Sequence, residues 1–208
     1  MGFNIKNRLR QLIFESEGNY GYHAGNLQYK AEKLSDRGFI IGKTGQMGTG
    51  HYFYGNIEDA KKHAAEFGKR KIGDTSVYAV DFSKYNLFRP SNPKEYYDNL
   101  VVAINNDFLK HITVEDFNDP DIIDTLKDAA DFYRSYGVNI SDEDFISIAK
   151  GFVNDLQTKS SQSDDMFNTR VLKAAGFEGV DVRNTPLDNF AVGSIIFDIK
   201  PNTLKQIQ

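Results

Sequence analysis

Apolar residues recur along this chain in two different rhythms, and the rhythms divide it. Near the start, Ile5, Leu9, Leu12 and Ile13 fall at helical spacing with Lys6, Arg8 and Arg10 between them, which predicts a short amphipathic helix. Tyr29 to Leu34 is helix-like, and Gly38-Phe39-Ile40-Ile41-Gly42 predicts a strand bounded by glycines. Another strand is expected over Tyr52 to Tyr54, behind Gly48-Thr49-Gly50. Asn56, Glu58 and Asp59 then supply the N-cap and first-turn acids of a helix carrying Ala60, Ala64, Ala65 and Phe67, with Gly68 placed to end it. Val77 to Phe82 reads as a strand with an acidic, turn-forming tail, and Val101 to Ile104 as a further core element.

From about Asn92 to Ser163 the helical rhythm takes over. Asp119-Pro120 predicts a helix start, followed by Ile122, Leu126, Ala129 and Tyr133 on one face and closed by Gly137. Ser141 to Asp144 opens a second helix with Phe145, Ile148, Phe152 and Leu156 in register, and Thr158 to Ser163 is a polar link. The mixed pattern then returns: a helix from Met166 to Ala175 ended by Gly176, the stretch Gly179 to Val182, a turn through Asn184-Thr185-Pro186, and a closing strand from Ser194 to Ile199. That strand is apolar on both faces, so it belongs inside a sheet, with Pro201 stopping it. The expectation is one α+β domain over 1–208 with a helical insert at 92–163.

Composition narrows the chemistry. A chain of 208 residues with 40% apolar content can bury the core of one domain. It holds no cysteine and four scattered histidines, so neither a disulfide framework nor a thiolate or two-histidine zinc site is expected, and no metal is predicted. With no run of about 18 apolar residues and no signal-peptide core, the expectation is a soluble chain, and the missing cysteines fit a reducing cytoplasm. The net charge of −4 hides an asymmetry. Residues 115–165 hold 13 acids and 4 bases, a balance of −9, whereas the rest holds 16 acids and 21 bases, a balance of +5. A basic frame favours an anionic ligand such as a dinucleotide, although dispersed lysines are also ordinary solvated surface. No dense Arg/Lys cluster argues for nucleic acid. The acidic insert reads either as a lid over the core or as a partner-recognition element.

Two stretches carry candidate chemistry. In Tyr22-His23-Ala24-Gly25 a histidine ends a short apolar stretch and small residues follow. It reads as a hydrogen-bonding group at a cleft edge or as a plain turn histidine. In Gly48-Thr49-Gly50-His51-Tyr52-Phe53-Tyr54 an aromatic face lies beside a glycine loop. That is a floor for a flat ring, or a hydrophobic strand behind a turn.

Taken in order, these two stretches and the closing Gly193-Ser194-Ile195-Ile196-Phe197-Asp198-Ile199 resemble the NAD-dependent ADP-ribosyltransferases of the diphtheria-toxin and poly(ADP-ribose) polymerase type, and small bacterial relatives such as rifampin ADP-ribosyltransferase. The resemblance covers about residues 20–90 and 166–207. It implies two facing, twisted antiparallel sheets around an NAD cleft. It places an NAD ribose hydroxyl on His23 and the nicotinamide carboxamide on the backbone of Ala24, beside Gly25. Tyr52, next to Phe53, matches the tyrosine that stacks on nicotinamide. His63 falls where polymerase-like members carry a second stacking tyrosine, and Ala60 where they carry a serine. The family's catalytic glutamate falls on Gly193, whose side chain cannot fill that electrostatic role. The missing charge would then come from Asp188 as first choice, with Glu178 and Asp181 behind it, or from the substrate, or transfer is lost and binding persists. The implied function is mono-ADP-ribosyl transfer from NAD to a macromolecular target, protein rather than nucleic acid, as in a bacterial or phage effector. The alternative is a non-catalytic module that binds NAD or ADP-ribose or docks a partner, and a third reading is an interaction protein with an empty cleft.

Overall fold

Alternation builds two sheets here and helical spacing builds the layer that covers one of them. The computed structural model describes residues 19–25, 40–41, 43–45, 48–70, 76–93, 95–96, 106–158, 167–183 and 193–207. Among them, in chain order, are β1 (Tyr20–Ala24), β2 (Ile40–Ile41), β3 (Lys43–Gly45), β4 (Gly48–Phe53), α1 (Ile57–Arg70), β5 (Val77–Asp81), β6 (Leu87–Phe88) and α2 (Asn106–His111). There follow α3 (Pro120–Ser135), α4 (Asp142–Thr158), α5 (Phe167–Ala174), β7 (Gly179–Asp181), β8 (Ser194–Ile196), β9 (Asp198–Ile199) and β10 (Leu204–Gln206). The expected helices at 5–14 and 29–34, the element at 101–104 and the turn at 184–186 lie outside the described residues, as does the expected link at 158–163 except Thr158, which is the last residue of α4.

The fold is α+β. A three-stranded antiparallel sheet has the order β1-β5-β10, a five-stranded sheet runs β3-β4-β8-β7-β6, and β2 pairs with β9. Two expectations are corrected here. The five-stranded sheet is not purely antiparallel, because β6 and β7 pair in parallel. A parallel pair needs a long crossover, and α2 to α5 supply it. The closing strand is also broken: the Phe197 N–H still donates to the Glu178 carbonyl at 3.0 Å in line with the β7–β8 register, but beyond Phe197 the chain pairs with β2 instead, so that β8 and β9 serve different sheets.

Successive residues of β8 explain why it is apolar throughout. Ile196 joins Phe53, Tyr78, Val80, Phe82, Tyr85, Leu87 and Ile199 in the core shared by the two larger sheets. Ile195 points the other way, into a cluster with Val180, Tyr133, Phe145, Phe152 and Phe167. A strand between two cores has no polar face to spare. The helices of the 92–163 segment are therefore packed onto the five-stranded sheet, together with α5. On the outer face of the three-stranded sheet, Ala60 and Ala64 of α1 pack on Tyr22, Ala24, Val77 and Ala79.

Local signals set the helix ends. The Asp119 carboxylate accepts from the Asp121 N–H at 2.9 Å with Pro120 in the first turn, and Ser141 Oγ accepts from the Asp144 N–H at 3.1 Å. α3 and α5 both end on glycines with positive φ, Gly137 at 93° and Gly176 at 85°. In each, the next two N–H groups fold back, Gly137 to Arg134 and Val138 to Tyr133, then Gly176 to Lys173 and Phe177 to Leu172. Asn56 caps α1, accepting from the Asp59 N–H at 2.9 Å. Gly68 does not end that helix, which continues to Arg70, since a glycine inside a helix weakens it by about 1 kcal/mol without stopping it. Among the described residues no helix is long and apolar enough to cross a membrane.

Candidate functional site

Three stretches far apart in the chain meet at the end of β4. Tyr22 and Tyr54 exchange both backbone bonds, at 3.0 and 2.7 Å, which splices β1 to β4 although the two strands belong to different sheets. On the other edge of β4, Phe53 faces Ser194, and the Gly193 N–H donates to the Phe53 carbonyl at 3.0 Å. His23 closes the junction, its Nδ1 lying 2.8 Å from the Tyr52 carbonyl. A carbonyl only accepts, so Nδ1 carries a proton.

The faces of β4 divide the side chains named from sequence. His51 and Phe53 turn toward His23, with ring centroids 5.9 and 5.7 Å from its own. Tyr52 points to the opposite face and packs, half-buried, on the helical layer. His23 thus meets residue 52 through its main chain. Phe53 is 0% exposed, packed edge-on to Phe82, so what it presents to a ligand is backbone. Ala24 is buried under α1, and the Gly25 N–H donates to the Ser76 carbonyl at 3.0 Å. His63 sits exposed on α1, its Nδ1 2.5 Å from the Tyr54 hydroxyl. Burial, helped by the charge of Asp59, raises the Tyr54 pKa, so the phenol keeps its proton and donates to His63.

Around Gly193 there is no room for a longer side chain. A Cβ there would come within 2.9 Å of Arg183 Cγ and 3.3 Å of Arg183 Cα. The Arg183 side chain, its guanidinium 4.5 Å over the Phe82 ring, occupies the space beside Gly193. Of the three acids named for the missing charge, Asp188 lies outside the described residues. Glu178 accepts from the Asn86 N–H at 2.9 Å and pairs with Lys200 at 2.5 Å. Asp181 is the one beside Gly193, opposite Ser194 in the β7–β8 ladder.

Asp181 is heavily engaged. Its carboxylate accepts from Ser194 Oγ at 2.9 Å, from Arg183 Nε at 2.8 Å and Nη2 at 2.9 Å, and from Arg89 Nε at 3.1 Å. Burial alone would push its pKa up, but the Arg183 guanidinium, with Ser194 assisting, outweighs burial and holds it below the ordinary carboxylate value. Arg183 Nη1 also donates to the Tyr20 carbonyl at 2.7 Å, so one guanidinium ties β7 to the start of β1. Sequence reading passed over Arg183 and His51. The Asp181-Val182-Arg183 spacing was a usable signal, because residues two apart on extended chain share a face.

Among the described residues no group of three or more His, Asp or Glu side chains is placed to hold a metal ion. No protein-family model, curated protein or solved structure matches the chain.

Proposed function

We propose that this chain is an NAD-dependent mono-ADP-ribosyltransferase that modifies a macromolecule, a protein rather than a nucleic acid, in the manner of a bacterial or phage effector acting in the cytoplasm. The observation that carries the reading is the convergence of Tyr22-His23-Ala24, Tyr52-Phe53-Tyr54 and Gly193-Ser194 on one end of β4. These are the three stretches on which the ADP-ribosyltransferase resemblance rests. In this reading the His23 ring binds a ribose hydroxyl and the backbone of Ala24 holds the carboxamide, with Phe53 as backbone floor; Tyr52, turned to the helical face of β4, and His63, bonded to Tyr54 on α1, leave the stacking that the resemblance implies unmade. The bond between the ribose C1 and the nicotinamide nitrogen breaks, its electron pair leaving with nicotinamide. A nucleophile of the target then bonds to C1 and gives up its proton.

A second reading is favoured by Arg183. It fills the space beside Gly193, and the neighbouring carboxylate of Asp181 is paired with two guanidinium groups. A carboxylate so neutralised gives little stabilisation to a positive ribose. On that ground the junction would bind NAD or ADP-ribose, or dock a partner, without transfer.

One experiment separates the two. The purified protein is incubated with NAD labelled in the adenosine part and with a bacterial lysate, following free nicotinamide and label on macromolecules, with His23→Ala in parallel. Nicotinamide release and labelling that vanish in His23→Ala support transfer. Binding of NAD by calorimetry without either product supports the nucleotide-binding module, and no heat with NAD or ADP-ribose sinks both transfer and nucleotide binding.

A further inference from the structure

The end of the five-stranded sheet that carries the β4 junction also carries an unbalanced charge. Phe53 closes β4, Ser194 opens β8 and Asp181 closes β7, and the ladder sets these three in one row across neighbouring strands. The parallel register of β6 and β7, with Phe88 beside Val180, continues that row to Arg89 beside Asp181. From β4 to β6 the row crosses three strand spacings, roughly 14 Å. At its near end the Phe53 ring lies 5.7 Å from that of His23, and at its far end stands the Arg89 guanidinium.

Asp181 does not need Arg89. Its side chain is 6% exposed, and Arg183 already grips both oxygens, Nε on Oδ1 at 2.8 Å and Nη2 on Oδ2 at 2.9 Å, while the Ser194 hydroxyl donates to Oδ1 at 2.9 Å. One carboxylate balances one guanidinium. Arg89 is the second, and among the described residues Asp181 is the one acid it meets, so the group keeps a net positive charge. Two guanidinium groups on one carboxylate also repel each other, and a further anion would relieve that repulsion.

The two arginines differ in what they have left to give. Arg183 is 11% exposed and gives Nη1 to the Tyr20 carbonyl at 2.7 Å. Arg89 is 60% exposed and turns its Nε and Nη2 edge to Asp181, both nitrogens 3.1 Å from Oδ2. Its end edge, Nη1 with the second hydrogen of Nη2, has no partner among the described residues. The carboxylate on one edge fixes the plane of the group, and the end edge is a fork that matches two oxygens of one phosphate.

We propose that Arg89 holds the diphosphate of the nucleotide at the junction, a role that rests on the nucleotide-binding reading above and adds to it the residue that recognises the ligand's charge. ADP-ribose suits the row because its ribose and its diphosphate belong to one chain, and the row offers His23 to the first and Arg89 to the second. Since the Arg89 guanidinium leans back over Asp181, the span to cover is shorter than the row itself.

The test is calorimetric titration of the full chain with ADP-ribose at low and at high salt, comparing wild type, Arg89→Ala and Arg89→Lys. Arg89 is mostly exposed and Arg183 stays on Asp181, so both variants are expected to keep the wild-type melting temperature. At low salt Arg89→Ala should bind ADP-ribose about tenfold or more weakly. Arg89→Lys should fall between the two, because lysine keeps the charge and loses the fork. The gap should narrow as salt rises, since screening weakens a contact between exposed charges and leaves packing untouched. A loss of the same size at both salts is the mark of a merely structural change and overturns the proposal. Equal affinity in wild type and Arg89→Ala overturns it too, while leaving the junction reading in place. If wild type binds no ADP-ribose, both fall together.

Discussion

The helical layer and the strand junction solve the problem of buried polar groups in opposite ways. In the layer, α2 to α5 bury Leu109, Tyr133, Phe145, Phe152, Phe167 and Leu172 against the sheet, and the polar atoms among them satisfy one another. Asn168 Oδ1 accepts from Tyr96 at 3.0 Å and from Tyr133 at 3.1 Å, and burial keeps the Tyr133 phenol protonated. The junction instead gathers His23, His51, Asp181 and Arg183 within a few residues of one strand end. Ionisable groups in an interior are costly unless paired. A fold with a large apolar layer can carry such a cluster, and the difference puts the apolar helical layer on one side of the five-stranded sheet and the paired ionisable groups on the other.

The contrast breaks most sharply at two buried side chains, one on each side of the five-stranded sheet. Phe145→Ala is expected to lose about 3–5 kcal/mol of stability in urea unfolding while leaving NAD affinity per folded molecule unchanged. Asp181→Ala strands a mostly buried guanidinium and is expected to lose a similar amount, about 3–5 kcal/mol. Only the second should disturb the junction, read as lost NAD affinity at temperatures where both variants are folded. Equal effects on binding would erase the distinction between the regions.

Acid sharpens the same comparison. Asp181 is held below its ordinary value of 3.8. A carboxyl lowered in the folded state stabilises above its unfolded value, and that contribution is lost as pH falls through the folded one. Wild-type stability should therefore drop below about pH 4, and Asp181→Asn should show a shallower slope in that window. Glu178, also lowered where Lys200 and the Asn86 N–H outweigh its burial, supplies a slope that remains. An unchanged slope in Asp181→Asn would remove the Arg183 pair from the account.

Smaller effects come from close approach and capping. A Cβ on Gly21 would lie 2.1 Å from the Phe82 ring, so Gly21→Ala is expected to cost about 1–3 kcal/mol by pushing that ring out of its place in the core. Thermal melts check this, and a neutral result would mean that Phe82 can swing away. Ser141→Ala, at the start of α4, should cost about 1 kcal/mol in the same assay with no effect at the junction.

The helical layer was legible because its signals are local. Asp119-Pro120, Ser141 and the glycines at 137 and 176 act within a turn of where they stand, and the spacing of Phe145, Ile148, Phe152 and Leu156 faces one way whatever the helix packs on. Strand residues were read less well. That Ser194 to Ile199 lies inside a sheet followed from its apolar run, but the break at Phe197 did not, because it is made where the chain changes partner from β7 to β2, a segment over 150 residues away. The parallel pairing of β6 and β7 was equally out of reach, since register is a relation between segments about 90 residues apart.

The candidate site divides the same way. Sequence by itself determined which residue types are available, namely the histidine of β1, the aromatic run of β4 and the glycine before β8. Tertiary structure alone decided that these stretches meet at Tyr54, that Tyr52 and His23 use opposite faces of β4, and that Arg183 fills the space beside Gly193. Helix signals are carried by neighbours in the chain, whereas the contents of a strand junction are set by non-local hydrogen bonds and by the volume left between side chains from separate strands.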